Sequence, residues 1–173
     1  MNKNEIQSTT LNTAWIENLA LEEINMEESG IIHMNDHLNP QNVLEEASIK
    51  FMGQLRDHFE FFTSKFNEYR SNSSIKIFKI SGSVNDFMLF RNSLRLIITR
   101  NNSDIINISF MANGKDIFAG RESKSLPQLE KKHKIRAHVG PFNKISWLYQ
   151  GENVDTRALV RHYLSEFIRL SAR

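Results

Sequence analysis

Apolar residues recur along this chain at helical spacing, then at every second position, then at helical spacing again. The longest periodic stretch is Met52, Leu55, Phe59, Phe62, Phe66 and Tyr69, at 3-4-3-4-3 spacing. Such a series lines one side of a helix as a continuous seam. Asn39 is a good N-cap residue, and Pro40 suits the first helical position, where a missing N–H costs nothing. The spacing therefore predicts a helix from Pro40 to about Tyr69. Phe51 and Phe61 lie beside the seam and widen it. So broad a stripe must be covered by the chain's own sheet or by a second copy.

From residue 75 the period becomes two. Strands are predicted over 75–81, 93–100, 104–111, 134–139 and 143–150, while 84–90 suits a strand or a helical turn. Asn113-Gly114 is a strong hairpin signal, because both residues tolerate positive φ, and 116–120 is expected to return antiparallel to 104–111. Gly140-Pro141 makes a corner between the last two strands, with the proline at a strand end where no N–H is needed. In the final strand Ile145, Trp147 and Tyr149 share one face. Residues 120–134 have the composition of a long exposed loop.

Helical spacing returns with Leu159, Val160, Tyr163, Leu164, Phe167 and Ile168, which predict a helix over about 156–170 with Asn153 or Asp155 as its cap. Near the start, Leu11, Trp15, Ile16 and Leu19 fall on one face of an acidic amphipathic helix within 10–28, capped by Thr9 or Thr10. Residues 29–39 read as a linker with a short extended piece at 31–34. The order implies an α+β fold. A long helix on the N-terminal side is followed by a mainly antiparallel curved sheet or partial barrel of about six or seven strands, then by a C-terminal amphipathic helix. Two segments follow: an acidic extension, residues 1–38, and a basic α+β domain, residues 39–173.

Charge sharpens that division. The net charge of +2 conceals −8 over residues 1–46, from nine acids and one base, and +10 over the remainder, from 21 bases and 11 acids. An acidic head on a basic body reads either as two surfaces kept soluble by opposite charge or as a docking device, the acidic helix seated on a basic, partly apolar groove of its own chain, of a neighbouring subunit or of a partner protein. The chain has no Cys, which excludes disulfides, thiol catalysis and Cys-ligated zinc. The N-terminus lacks the apolar stretch of a signal peptide, and no apolar run approaches the ~20 residues of a membrane-spanning helix. The chain reads as soluble and cytoplasmic.

Chemistry is scarce. There is no Gly-rich phosphate loop, no dinucleotide fingerprint and no nucleophile elbow. His33 and His37 flank Asp36 at i, i+4, which on a helix would suit a divalent metal, but no third ligand is evident and Gly30 disfavours a helix there. His133, His138 and His162 have Asp155 and Glu166 as candidate acid–base partners, yet lone histidines in such places are usually structural. No cofactor or metal is expected, and no catalytic residue is assigned.

Two readings remain. The first is a non-catalytic binding and assembly module, a homo-oligomer or the binder of another protein. Its interface would use Met52, Leu55, Phe59, Phe62 and Phe66 of the long helix with Leu11, Trp15 and Leu19 of the acidic one. The second is sequence-nonspecific binding of nucleic acid or another polyanion, modulated by the acidic segment. It would use Arg121, Lys124, Lys131, Lys132, Lys134 and Arg136 in and after the long loop, with Arg157, Arg161 and Arg169 on the last helix.

Overall fold

The structure, a computed structural model, describes residues 12–31, 39–112 and 132–172. The chain divides into two units between residues 38 and 39. In the first, helix α1 spans Ala14–Ser29. In the second, helix α2 (Pro40–Tyr69) precedes strands β1 (Lys76–Lys79), β2 (Phe87–Arg91), β3 (Leu94–Asn102), β4 (Ile105–Ala112), β5 (His133–Val139), β6 (Ile145–Tyr149) and β7 (Glu152–Asn153). Helix α3 (Thr156–Ser171) ends the fold. Among the described residues the strands form one seven-stranded sheet in the order β1 to β7, every pair antiparallel, and this sheet does not close.

Helix α1 starts later than Thr9 or Thr10, its expected caps. Thr13 is the N-cap residue, its hydroxyl donates to Glu17 Oε1 at 2.7 Å, and Asn12 Oδ1 accepts from the Ala14 N–H at 3.0 Å. Gly30 ends the helix at φ 68°, in the left-handed conformation that glycine adopts without strain, and its N–H reaches Met26 O. The expected piece at 31–34 lies largely outside the described residues, as do the Asn113-Gly114 turn and the strand expected at 116–120. Strand β7 was not foreseen; its two residues pair with Leu148 and Tyr149.

Strand alternation builds the core. Phe87 and Leu89 on β2, Leu94, Leu96 and Ile98 on β3, Ile106, Ile108 and Phe110 on β4, and Ile135 on β5 all point to one face and are buried. Helices α2 and α3 cover that face. Phe59 packs on Phe87 with ring centroids 5.8 Å apart, Phe51 stacks on Trp147 at 4.8 Å, and Tyr163 of α3 meets Phe110 at 6.3 Å. The expectation that Met52, Leu55 and Phe59 form an oligomer contact is therefore corrected: all three are fully buried against their own sheet. Phe66 is half-buried at the core's edge. The reason is helical drift. A 3-4-3-4-3 series slips around a straight α-helix by about 20° per heptad. Beyond Phe59 the inward position passes to Thr63, whose hydroxyl donates to Phe59 O at 2.7 Å. Phe62 is left 41% exposed and Tyr69 87%.

Polar side chains fasten the helices to the sheet. Asn67 of α2 clamps both backbone groups of Ile75, at 2.8 and 2.9 Å, and so starts β1. Arg100 of β3 bonds Glu45 Oε1 at 2.7 Å and Ser48 Oγ at 3.0 Å on α2. Arg91, the last residue of β2, points inward beside Phe87 and Leu89. Its Nε donates to Ser73 O at 3.0 Å and its Nη1 to Ile168 O and Ser171 Oγ, each at 3.2 Å. Its guanidinium lies 5.1 Å from the centre of the Phe66 ring. Burial, and secondarily Arg70, lowers its pKa from the usual arginine value. Asn92 and Ser93 then turn β2 into β3, both at positive φ (47° and 69°), the geometry of a type I′ hairpin. Helix α3 is capped by Asp155 Oδ1, which accepts from the Ala158 N–H at 2.7 Å.

Two stability predictions follow from these contacts. Phe59→Ala should lower unfolding free energy by about 3–5 kcal/mol through lost burial and a residual cavity. Arg91→Leu should cost about 3 kcal/mol, because Ser73 O and Ser171 Oγ lose a buried donor. Urea unfolding followed by circular dichroism checks both. A midpoint for either variant within error of wild type would contradict the assignment.

Candidate functional site

Two places outside the core gather side chains that can act on something else. The first is where α2 meets the start of α3. Phe61 and Phe62 stand edge-to-face, ring centroids 5.3 Å apart, and are 60% and 41% exposed. With Asp57, His58 and Arg157 they line a hollow of about 460 Å³. Helical drift has turned Phe62 outward, and Arg157 sits on the first turn of α3, so one residue from each expected interaction set meets here. Arg161, one turn further along α3, is also exposed. Arg56 is engaged by Glu60 at 2.7 Å and Lys65 by Glu68 at 2.9 Å, which leaves their charges largely answered on α2 itself.

Among the described residues the expected basic side chains lie on more than one face. Ile135 is buried on the helix-covered face of β5, so Lys134 and Arg136 point to the opposite face, away from α3. Both are exposed, as is Lys132. Arg157, Arg161 and Arg169 are exposed on α3, but Arg169 lies about 120° further round the helix than Arg157. Arg121, Lys124 and Lys131 fall outside the described residues, as do His33, His37 and Leu11. Trp15 and Leu19 are exposed on α1, at 63% and 42%.

The second place was not anticipated. A pocket of about 340 Å³ opens between β5, β6, β7 and the first turns of α3. Ile135, Val154 and Leu159 contribute apolar wall. His133 stands between two tyrosines, its ring centroid 5.6 Å from that of Tyr149 and 5.6 Å from that of Tyr163. His133 Nδ1 is hydrogen-bonded to Tyr163 Oη. Burial first, then Tyr149 and Glu166, raises the Tyr163 pKa above the ordinary tyrosine range. Glu152, Asp155 and His162 add polar side chains to the lining. Of the histidines considered as acid–base candidates, His162 pairs with Glu166 at 3.7 Å, while His138 is exposed on the far face of β5. Periodicity explains the miss: His133 and Tyr163 are 30 residues apart, and each reads locally as an ordinary inward position.

Among the described residues no group of three or more His, Cys, Asp or Glu side chains is placed to hold a metal ion, and no helix is long and apolar enough to cross a membrane. Comparison with protein-family models, curated proteins and solved structures finds no match for this chain.

The split of the basic residues gives a checkable expectation. Charge reversal at Lys132, Lys134 and Arg136, and separately at Arg157 and Arg161, should lower the salt concentration of elution from heparin independently, with near-additive effects. Loss of all retention from either set alone would show that the two sets act as one surface.

Proposed function

We propose that this protein is a non-catalytic assembly module that associates with itself, the α1 helix of one copy binding the Phe61–Phe62–Arg157 surface of another. The observation that carries the reading is complementarity. No residue of α1 is buried, and Trp15, Ile16, Leu19, Leu21 and Ile24 are all exposed. A helix that presents so much apolar surface to water needs a partner. Its charged residues are Glu17, Glu22, Glu23, Glu27 and Glu28, with no base among them. The α2–α3 surface offers what such a helix lacks, two exposed phenylalanines beside Arg157 and Arg161. Apolar contact supplies affinity, and the glutamate–arginine pairing selects site and direction. Asp57 in the same hollow disfavours approach of the glutamates on its side and so restricts the orientations that bind.

Binding of a polyanion is the second reading, favoured by the exposure of Lys134 and Arg136 on one face of β5 and of Lys132 just before it. Salt separates the two readings, since phosphate binding weakens steeply with salt whereas aromatic packing does not.

Sedimentation over a range of protein concentrations tests the proposal. The wild type should form dimers or larger assemblies at micromolar concentration, with Trp15 fluorescence shifting to the blue as they form. Phe62→Asp should abolish assembly and leave the monomer's thermal stability within about 1 kcal/mol of wild type, because Phe62 lies outside the buried core. Arg157→Glu should weaken assembly about tenfold. A wild type that stays monomeric at those concentrations overturns the proposal. Blue-shifted Trp15 fluorescence that does not change with concentration also overturns it, in favour of docking within one chain.

A further inference from the structure

The β5–β7 pocket lies apart from the surface assigned to assembly, and its chemistry is specific. We propose that it is a binding site for an organic cation, an alkylated ammonium group such as a methylated lysine side chain or a choline-type headgroup. Three aromatic rings line it, His133 packed against both Tyr149 and Tyr163 at tilts of 55° and 52°. Aromatic rings carry partial negative charge on their faces, and a wall of them attracts a cation whose alkyl shell is too bulky and too weakly hydrated to be held well by water. The apolar wall of Ile135, Val154 and Leu159 suits methyl groups but not a small, strongly hydrated ion.

The charge around these rings has the matching sign. Glu152 and Asp155 line the pocket and no Lys or Arg does; His162, also in the lining, has Glu166 3.7 Å away as its partner. Glu166 lies near enough to Tyr163 to oppose its ionisation. Lys132 and Lys134 line a separate hollow beyond the His133–Tyr149 wall, together with Gln150. The opening turn of α3 would by itself favour an anion. Asp155 answers that field, since its Oδ1 already accepts from the Ala158 N–H at 2.7 Å. The pocket volume, about 340 Å³, lies at the lower end of small-molecule sites and accommodates one such headgroup.

Three probes of nearly the same shape and different charge test the assignment: choline, its neutral isostere 3,3-dimethylbutan-1-ol, and the anionic 3,3-dimethylbutanoate. Aromatic-ring NMR shifts report occupancy: Tyr149 and His133 also border the Lys132–Lys134 hollow, so shifts that include Tyr163 assign binding to this pocket. Choline should give saturable shifts, the neutral probe should bind about tenfold more weakly, and the anion should not bind. Asp155→Asn keeps the helix cap and removes the charge, and should weaken choline roughly threefold without changing thermal stability. Tyr149→Leu should weaken it about tenfold. Equal binding of the cation and its neutral isostere would make this an apolar pocket only. Tightest binding of the anion would assign it to the α3 N-terminus, and absence of ring shifts with any probe would remove the site altogether.

Discussion

Arg91 ties together three stretches of chain that would otherwise meet only through apolar contact. Its guanidinium reaches Ser73 after α2, Ile168 and Ser171 in the last turn of α3, and the face of Phe66, while its own backbone belongs to β2. Among the described residues its hydrogen-bond partners are carbonyl and hydroxyl oxygens, not a carboxylate. A buried cation without a carboxylate is costly, by several kcal/mol for an unsatisfied ion. Here the negative end of the α3 dipole and a ring face take the place of the missing counter-charge. The arrangement is specific because a shift of either helix along the sheet would strand the donors. Asn92, next in the chain, repeats the device by donating to Ser171 O at 2.9 Å.

With that end pinned, the opposite end of α2 is held by Arg100, Glu45 and Ser48, and by Gln41 Nε2 donating to Ser103 Oγ at 2.6 Å. The long helix is thus fixed at both ends over a twisted sheet. Its buried stripe must follow the sheet, and its excess apolar residues emerge where the helix leaves it. Phe61 and Phe62 stand where α2 passes the start of α3, and the arginines of α3 are set beside them by the Asp155 cap. The surface assigned to assembly is in this sense a by-product of how the core is closed.

Much of the fold was legible because its signals are local. Asn39-Pro40 gave the start of α2, Asp155 the start of α3, and period-two patterns most of the strands. What escaped depends on contacts across the chain. The seam from Met52 to Tyr69 shows an apolar side but not which members the sheet will take, since the line along which the sheet meets the helix is set by contacts across the chain. Arg91 completes the Phe87–Leu89 alternation, and its inward position was available from that pattern alone; its partners at residues 168 and 171 were not. Strand β7 is two residues long and carries no pattern. The aromatic pocket draws His133, Tyr149 and Tyr163 from three elements, and no spacing in the chain connects them.

The strict neighbour-to-neighbour order of the sheet sets the sequence of events as the chain emerges during synthesis. Strands β1 to β4 can zip onto one another through short connections, and β5 to β7 likewise, while joining β4 to β5 must close a longer stretch of chain. Helix α3 comes after all seven strands, so Val160, Tyr163 and Phe167 reach the core last. Until they do, part of the face formed by Leu96, Ile106 and Phe110 has no cover, and the Arg91 guanidinium has only Ser73 and Phe66 to satisfy it. The nascent sheet therefore passes through an interval in which it is paired along its strands yet sticky on one side, a state for chaperones to shield.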